Sequence, residues 1–395
     1  MSVEWRLHFY SSLFLTSLAL GMYSVFVPLF AQKLGASFLQ LGFIGTAAAV
    51  TYVLTPILAG HSADRVSHVW IYEISLVLNI AATAALFFAR TVTDIILLRA
   101  FGGVALAFLW PTSEVLVVDL HSEQGLVKEM GTFSVVWGSG YLIGPAIGGF
   151  VIPALGYPVL FELSSFLMLI GFVQALLGVV RRYNTEQAHP SLQLPSGFRD
   201  VRESMSKLWP WYTMIVLYGV VSNVVLTIFP GYVSSVGVGV ELVGILFATF
   251  GVARVVIFAT IQYYARLGEA KVLTSVSVAI GCGVLMVALF PGFFVFLVAL
   301  IIFGIGFAMI FPISITLISR GFPKGRPGVA VGSYESVFGL GSAIGPILAG
   351  TLASVLSVKD SFLSLAVAGF LMGAIAERNG SRTGELQLDA EQIPR

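Results

Sequence analysis

Apolar stretches long enough to cross a lipid bilayer recur about twelve times along this 395-residue chain, most of them separated by short polar breaks. A helix needs about 20 apolar residues to cross the hydrocarbon core. In the first half such runs occupy residues 7–31, 39–60, 70–89, 95–118, 130–153 and 158–180. In the second half they occupy residues 210–234, 240–264, 272–290, 293–319, 328–354 and 360–377. Lipid offers the backbone no hydrogen-bond partner, so only helices and closed barrels span it. The runs are continuous and lack the alternation of a membrane strand, so they read as helices. The expected fold is an all-α membrane protein with twelve transmembrane helices.

The two halves repeat one another. GYLIGPAIGG at residues 140–149 returns as GSAIGPILAG at residues 341–350. The same offset of about 201 residues pairs Gly103 with Gly304, Pro111 with Pro312, Ser113 with Ser314, Gly131 with Gly332 and Gly138 with Gly339. A nearly equal offset pairs Pro28 with Pro230, Gly35 with Gly237 and Gly42 with Gly244. A solenoid repeats every 20 to 50 residues or so, whereas this period is half the chain, the mark of a duplicated bundle. The organisation expected is a six-helix bundle over residues 1–180, a linker over 181–208, a second, pseudo-symmetric six-helix bundle over 209–378 and a tail over 379–395.

Composition narrows the classes further. The chain is 57% hydrophobic and only 10% charged, against about 25% charged in soluble proteins. A net charge of +1 gives nucleic acid no concentrated basic face. Five histidines at inner helix ends and loops, and the single Cys282, form no metal cluster and no internal disulfide. No phosphate-binding G-x-x-x-x-G-K-[ST] loop is present. The expectation is therefore a non-enzyme with no cofactor and no metal. The first apolar run is too long for the core of a cleavable signal.

Charge also orients the chain. If both termini are inside, the inner loops and tails hold Arg6, Arg65, Lys128, Arg266, Lys271, Arg320, Lys324, Arg326, Arg378, Arg382 and Arg395, with Arg181, Arg182, Arg199, Arg202 and Lys207 in the linker. The outer loops keep only Lys33, Arg90 and Lys359. By the positive-inside rule this predicts a multi-pass protein of the cytoplasmic (inner) membrane with cytoplasmic termini.

Ionisable groups within a span cost about 2.5 to 3.5 kcal/mol each on insertion scales, so they are functional candidates. Arg99, Gly103, Trp110 and Glu114 recur at spacings that place them on one broad face of the fourth span. Arg99 and Glu114 lie about 22 Å apart along that helix, too far to pair. Arg254 in the eighth span and Glu335 in the eleventh have nearly matching depths, which predicts a buried ion pair. One reading is mutual neutralisation; the other gives Glu335 a proton to exchange while Arg254 sets its affinity. Arg99 could likewise bind an anion or hold opened backbone. Glu114 could bind, exchange protons or sit at the interface. Glu73 and Glu162 read as partners of loop cations. Asn79, Asn223 and Gln262 line a cavity or tie helices together. Tyr23, Trp137, Tyr141 and Tyr334 are candidate stacking surfaces, whereas Trp5, Trp209, Trp211 and Tyr212 read as interfacial anchors.

Three segments resemble the signatures of the major facilitator superfamily. Gly60, Asp64 and Arg65, in GHSADR, resemble its loop between helices 2 and 3. Arg99 with Gly103 resembles its helix 4 signature. Gly140, Gly144, Pro145, Gly148 and Gly149 resemble the helix 5 signature often associated with antiporters, and Gly341, Gly345, Pro346 and Gly350 are their copies. The loop departs from the pattern at Ser67, His68 and Val69. The resemblance implies a cytoplasmic gate in which Asp64 meets the helix start near Gly328, and His68 replaces an arginine facing Asp119. An aspartate gains about 0.3 to 1 kcal/mol at a helix N-terminus, and a histidine makes such a latch sensitive to pH.

The resemblance implies a secondary active transporter working by alternating access, with a small-molecule substrate between the halves. It points to efflux by proton antiport. A proton-coupled importer or uniporter of a small polar or anionic metabolite stays open, as does a non-transporting receptor or scaffold on the same fold. The expected partners are substrate, protons and membrane lipid, with the protein a monomer that binds no nucleic acid.

Overall fold

The computed structural model describes residues 3–63, 68–119, 123–180, 198–264, 268–320, 322 and 327–380, and within them every regular element is helical. The first half holds α1 (Val3–Ser24), α2 (Val27–Lys33), α3 (Phe38–Ala63), α4 (His68–Ala85), α5 (Val92–Asp119) and α6 (Glu123–Ala175). The second holds α7 (Phe198–Thr227), α8 (Phe229–Ser235), α9 (Val240–Tyr264), α10 (Glu269–Leu289), α11 (Phe293–Arg320), α12 (Pro327–Val355) and α13 (Val358–Arg378).

The helix breaks follow from the sequence and repeat between halves. Proline lacks an N–H and crowds the preceding turn. Pro28 at the start of α2 therefore divides the first span, and Pro230 at the start of α8 divides the seventh. Each of these short helices ends at a glycine of positive φ, Gly35 at 89° and Gly237 at 87°. Inside α6, Gly156 sits at φ 85° and ψ 169°, a conformation open to glycine alone at little cost. The stretch Glu129–Gly178 covers 50 residues, about 75 Å of helix and twice the bilayer core. It therefore makes two crossings that turn at Gly156. Eleven described segments are long and apolar enough to cross a membrane, and that doubled segment brings the crossings to twelve. An even count returns both ends of the chain to one face, the terminal face; the opposite one is the distal face. The end of the expected linker is helical, because α7 begins at Phe198 and bends at Leu208 (φ −109°, ψ 18°) ahead of Pro210.

Large aromatic residues such as Phe9, Phe26, Trp211, Phe229 and Phe303 fill the bundle interiors, while Phe88, Phe150, Phe166 and Phe294 stay exposed on the outside. That inversion suits a lipid solvent. Trp211 and Tyr212, expected as interfacial anchors, are buried instead, and so is Trp5. Tyr212 hydrogen-bonds Ser333 at 2.9 Å, joining α7 to α12.

The repeated decapeptide has two working faces. On one, Gly140, Gly144 and Gly148 pack backbone-close against α1 at Leu18, Gly21 and Met22, and Gly341 and Gly345 pack the same way on α7 at Val216 and Val220. On the other face it meets the opposite half. A Cβ on Gly42 of α3 would lie 2.5 Å from the Pro346 carbonyl oxygen, and one on Gly244 of α9 would lie 2.5 Å from that of Pro145. Gly149 and Gly350 complete these contacts against Gly244 and Gly42. The crossings lie toward the distal face, where the two halves are closed against each other. Gly103 of α5 sits against Ala48 of α3, and its repeat partner Gly304 of α11 sits against Phe250 of α9.

These contacts make a stability prediction. A methyl at Gly341 collides with the Val216 carbonyl, whereas one at Gly332 meets nothing within 4 Å. Gly341→Ala is expected to cost about 1 to 3 kcal/mol through overpacking. Gly332→Ala should be neutral or stabilising by the higher helix propensity of alanine. Thermal melting of the purified variants checks this, and equal midpoints would contradict it.

Candidate functional site

A cavity of about 220 Å³ lies between the halves. The first half contributes Arg99 from α5 and Trp137 and Tyr141 from α6; the second contributes Arg254, Phe250 and Phe258 from α9. Arg254 is the centre of this wall. Its guanidinium carbon is 5.2 Å from the Trp137 ring centroid, 5.4 Å from that of Phe250 and 5.8 Å from that of Phe258. Phe250 and Phe258 stand four residues either side of it on α9, the spacing that stacks side chains along one helix face. Trp137 reaches across from the other half, and Trp110 and Tyr141 pack on it with centroids at 5.8 and 5.9 Å.

Ring faces attract a cation, but they do not satisfy every guanidinium donor. The Arg254 Nε is buried with no hydrogen-bond partner. Tyr141 lies within coulombic range of both Arg254 and Arg99, so the two cations share one cavity. No aspartate or glutamate is among the residues lining it.

The acids gather elsewhere. Glu114 on α5 and Glu335 on α12 come from opposite halves and lie within coulombic range of each other. Tyr52 on α3 is in range of both. Both carboxylates are half-buried. Tyr218 on α7 stands between the two groups of charge, in coulombic range of Arg254 and of Glu335, with its hydroxyl donating to the Phe307 carbonyl at 3.3 Å. Tyr334 stacks on Phe338 beside this region, at 6.4 Å between centroids.

The structure thus differs from the pairing expected between Arg254 and Glu335. No ion pair joins them: Arg254 lies over aromatic rings, while Glu335 is within coulombic range of Glu114 and of Tyr334. Similar distances from the helix ends do not fix the direction in which each side chain leaves its helix. Arg99 and Glu114 occupy separate ends of α5, as their spacing requires.

Other candidates take structural places. Asn79 donates to the Ser75 carbonyl at 2.8 Å within α4. Asn223 donates to the Ser342 carbonyl at 2.5 Å, joining α7 to α12, and also lines the cavity. Glu162 is exposed. Glu73 is buried with both carboxylate oxygens free of hydrogen bonds, contrary to the expected partnership with a loop cation. Near the terminal face, Arg6 pairs with Glu129, which also accepts from the Tyr10 hydroxyl at 2.8 Å, tying α1 to α6. Arg320 makes a bidentate pair with Glu269 at 2.6 and 2.8 Å between α11 and α10.

Of the residues expected at the gate, Asp64 and Arg65 lie outside the described residues. Gly60 lies in α3 and Asp119 ends α5, with the Asp119 side chain outside the described set. His68 begins α4 and is engaged with a neighbour. The Gln262 side chain is likewise not described. Sequence reasoning passed over Tyr52, Tyr218, Phe250 and Phe258. The two phenylalanines carried a legible signal, an aromatic four residues before and after an intramembrane arginine.

Comparisons with known proteins agree with this architecture. The family model described as the Major Facilitator Superfamily matches residues 9–346 and, again, 212–385. An uncharacterized MFS-type transporter of Methanocaldococcus jannaschii is 22% identical over 383 residues, covering 92% of this chain and 95% of the relative. The quinolone resistance protein NorA of Staphylococcus aureus (strain COL) is 22% identical over 395 residues, covering 95% and 97%. Among solved structures, a peptide transporter POT in complex with sulfate superimposes with a TM-score of 0.81 at 13% identity, over 97% of this chain and 95% of that one. A bacterial homolog of the lysosomal transporter Spinster, in an inward-facing and unoccupied conformation, gives 0.77 at 14% identity, over 97% and 99%. With the duplicated bundle, the shared cavity and a family model that spans both halves, the chain belongs to the Major Facilitator Superfamily of membrane transporters.

Proposed function

We propose that this transporter exports a small molecule from the cytoplasm across the inner membrane in exchange for protons, with both termini cytoplasmic. The observation that carries the reading is the approach of Glu114 and Glu335 from opposite halves, beside Tyr52 and apart from the cavity. In a low dielectric the protonation state of one acid is felt by the other. Carboxyls on both sides of the seam can therefore couple proton uptake to the relative position of the halves. Intramembrane acids of this kind mark proton paths in many transporters. The similarity to a quinolone resistance protein at 22% identity supports export as the direction.

Alternating access then has concrete parts. The glycine crossings of α3 with α12 and of α6 with α9 close the distal face, while the terminal face admits substrate to the cavity. Rocking of one half on the other would open the distal side. The deciding experiment adds substrate to pH-loaded proteoliposomes and follows the internal pH. Antiport moves protons against the direction of substrate, whereas protons moving with substrate would establish import by symport, and no flux would establish a receptor or scaffold.

A further inference from the structure

The cavity carries a charge pattern that selects its occupant. Arg99 and Arg254 both line it, and among the described residues neither forms an ion pair and no acidic residue is part of the lining. A buried cation without a counter-charge is costly in a low dielectric, and two facing one space repel each other. Aromatic rings around Arg254 offset part of that cost, yet its buried Nε remains without an acceptor. The occupant this charge pattern favours is an anion with hydrogen-bond acceptors that meet the guanidinium. Arginine presents its donors as a rigid fork that carboxylates and sulfonates match in a bidentate manner.

The rest of the wall defines the body of that ligand. Trp137, Tyr141, Phe250 and Phe258 present ring faces and edges, with Asn223 as a neutral polar neighbour. At about 220 Å³ the space is below the roughly 300 to 1,000 Å³ of drug-sized pockets, and so suits a compact ring compound. A cationic ligand would meet two like charges at close range.

We infer that the substrate of this transporter is a compact organic anion with an aromatic body, its carboxylate or sulfonate held by Arg254 with Arg99 supplying the second positive charge, while the rings of Trp137, Tyr141, Phe250 and Phe258 stack on the apolar part. This deepens the transport reading and rests on the cavity being its substrate site. Charge balance adds a consequence. Exchange of one proton inward for one monovalent anion outward moves two positive charges inward, so transport would be driven by membrane potential as well as by pH.

The test is binding in detergent solution, where no gradient exists and the coupling mechanism plays no part. Purified protein is titrated with 1-naphthoate, with the neutral 1-naphthamide and with the cationic 1-naphthylmethylammonium, and thermal midpoint and Kd are measured. Naphthoate is expected to stabilise the protein, with the amide and the ammonium at least tenfold weaker. Arg254→Gln should weaken naphthoate at least tenfold and remove the preference over the amide. Arg254→Lys should retain part of it, because the charge survives without the fork. Arg99→Gln gives a second, independent reading should the Arg254 variants fail to fold. Equal binding of the three probes, no binding of naphthoate, or full naphthoate affinity in a folded Arg254→Gln or Arg99→Gln variant would overturn the proposal. Selective anion binding without proton exchange in vesicles would leave the anion site standing and remove the antiport reading. Proton exchange driven by a cationic substrate would do the reverse.

Discussion

Glu335→Gln is expected to abolish accumulation against a gradient in proteoliposomes while downhill exchange of substrate continues. With the membrane potential clamped at zero, each pH unit supplies about 1.4 kcal/mol, a factor of ten. A two-unit gradient therefore sustains a concentration ratio of up to about one hundred for one-for-one exchange. Glutamine resembles the protonated acid in shape and hydrogen bonding but never releases a proton, so the ratio should fall to about one. Glu335 is the acid of choice because it lies within coulombic range of Glu114 from the other half and of Tyr218, which is itself in range of Arg254. Glu114→Gln is its companion, and the two substitutions should couple non-additively if they act as one unit. Normal uphill transport by the Glu335 variant would exclude it from the proton path.

Gly42→Leu and Gly244→Leu are expected to stop turnover by a different route. A Cβ at either position would lie 2.5 Å from a backbone carbonyl oxygen of the opposite half. Backbone cannot swing aside as a side chain does, so the distal closure seen here becomes inaccessible. A penalty of about 3 kcal/mol, at the upper end for overpacking, shifts a two-state balance by more than a hundredfold. Substrate flux should fall in proportion to the lost closed state. The altered balance is read with Cys282→Ser as background and Ser24→Cys as reporter in the cavity wall. A membrane-impermeant maleimide supplied to the distal face should label Ser24→Cys rapidly in the leucine variants and slowly in the parent. Equal labelling rates would contradict this role for the glycines.

The spans and the duplication were legible in the sequence, and the breaks within the spans follow local rules that the structure brings out. A run of about 20 apolar residues has to be helical in lipid, and Pro28, Pro230 and Gly156 act on their own turns. Candidate charges were also legible as a set, since an ionisable residue in a span stands out whatever its surroundings. Their partnerships were not. The positions of Arg254 and Glu335 along their helices suggested a pair, but sequence gives no azimuth for one helix relative to another across a bundle seam. The true neighbours, Glu335 with Glu114 and Arg254 with Trp137, each join residues from different halves. The same holds for the decapeptide: its recurrence revealed the duplication but could not name α1, α7, α3 and α9 as the surfaces it packs on.

Those two glycine crossings are related by the internal repeat, and each joins one helix of the first half to one of the second. Releasing one alone would twist the halves about the other and drag lipid-facing helices through the bilayer; releasing both together lets the halves tip apart. The duplication would therefore supply synchrony: opening is expected to behave as a single concerted event, and damage to either copy of the motif should disable the whole cycle and not half of it.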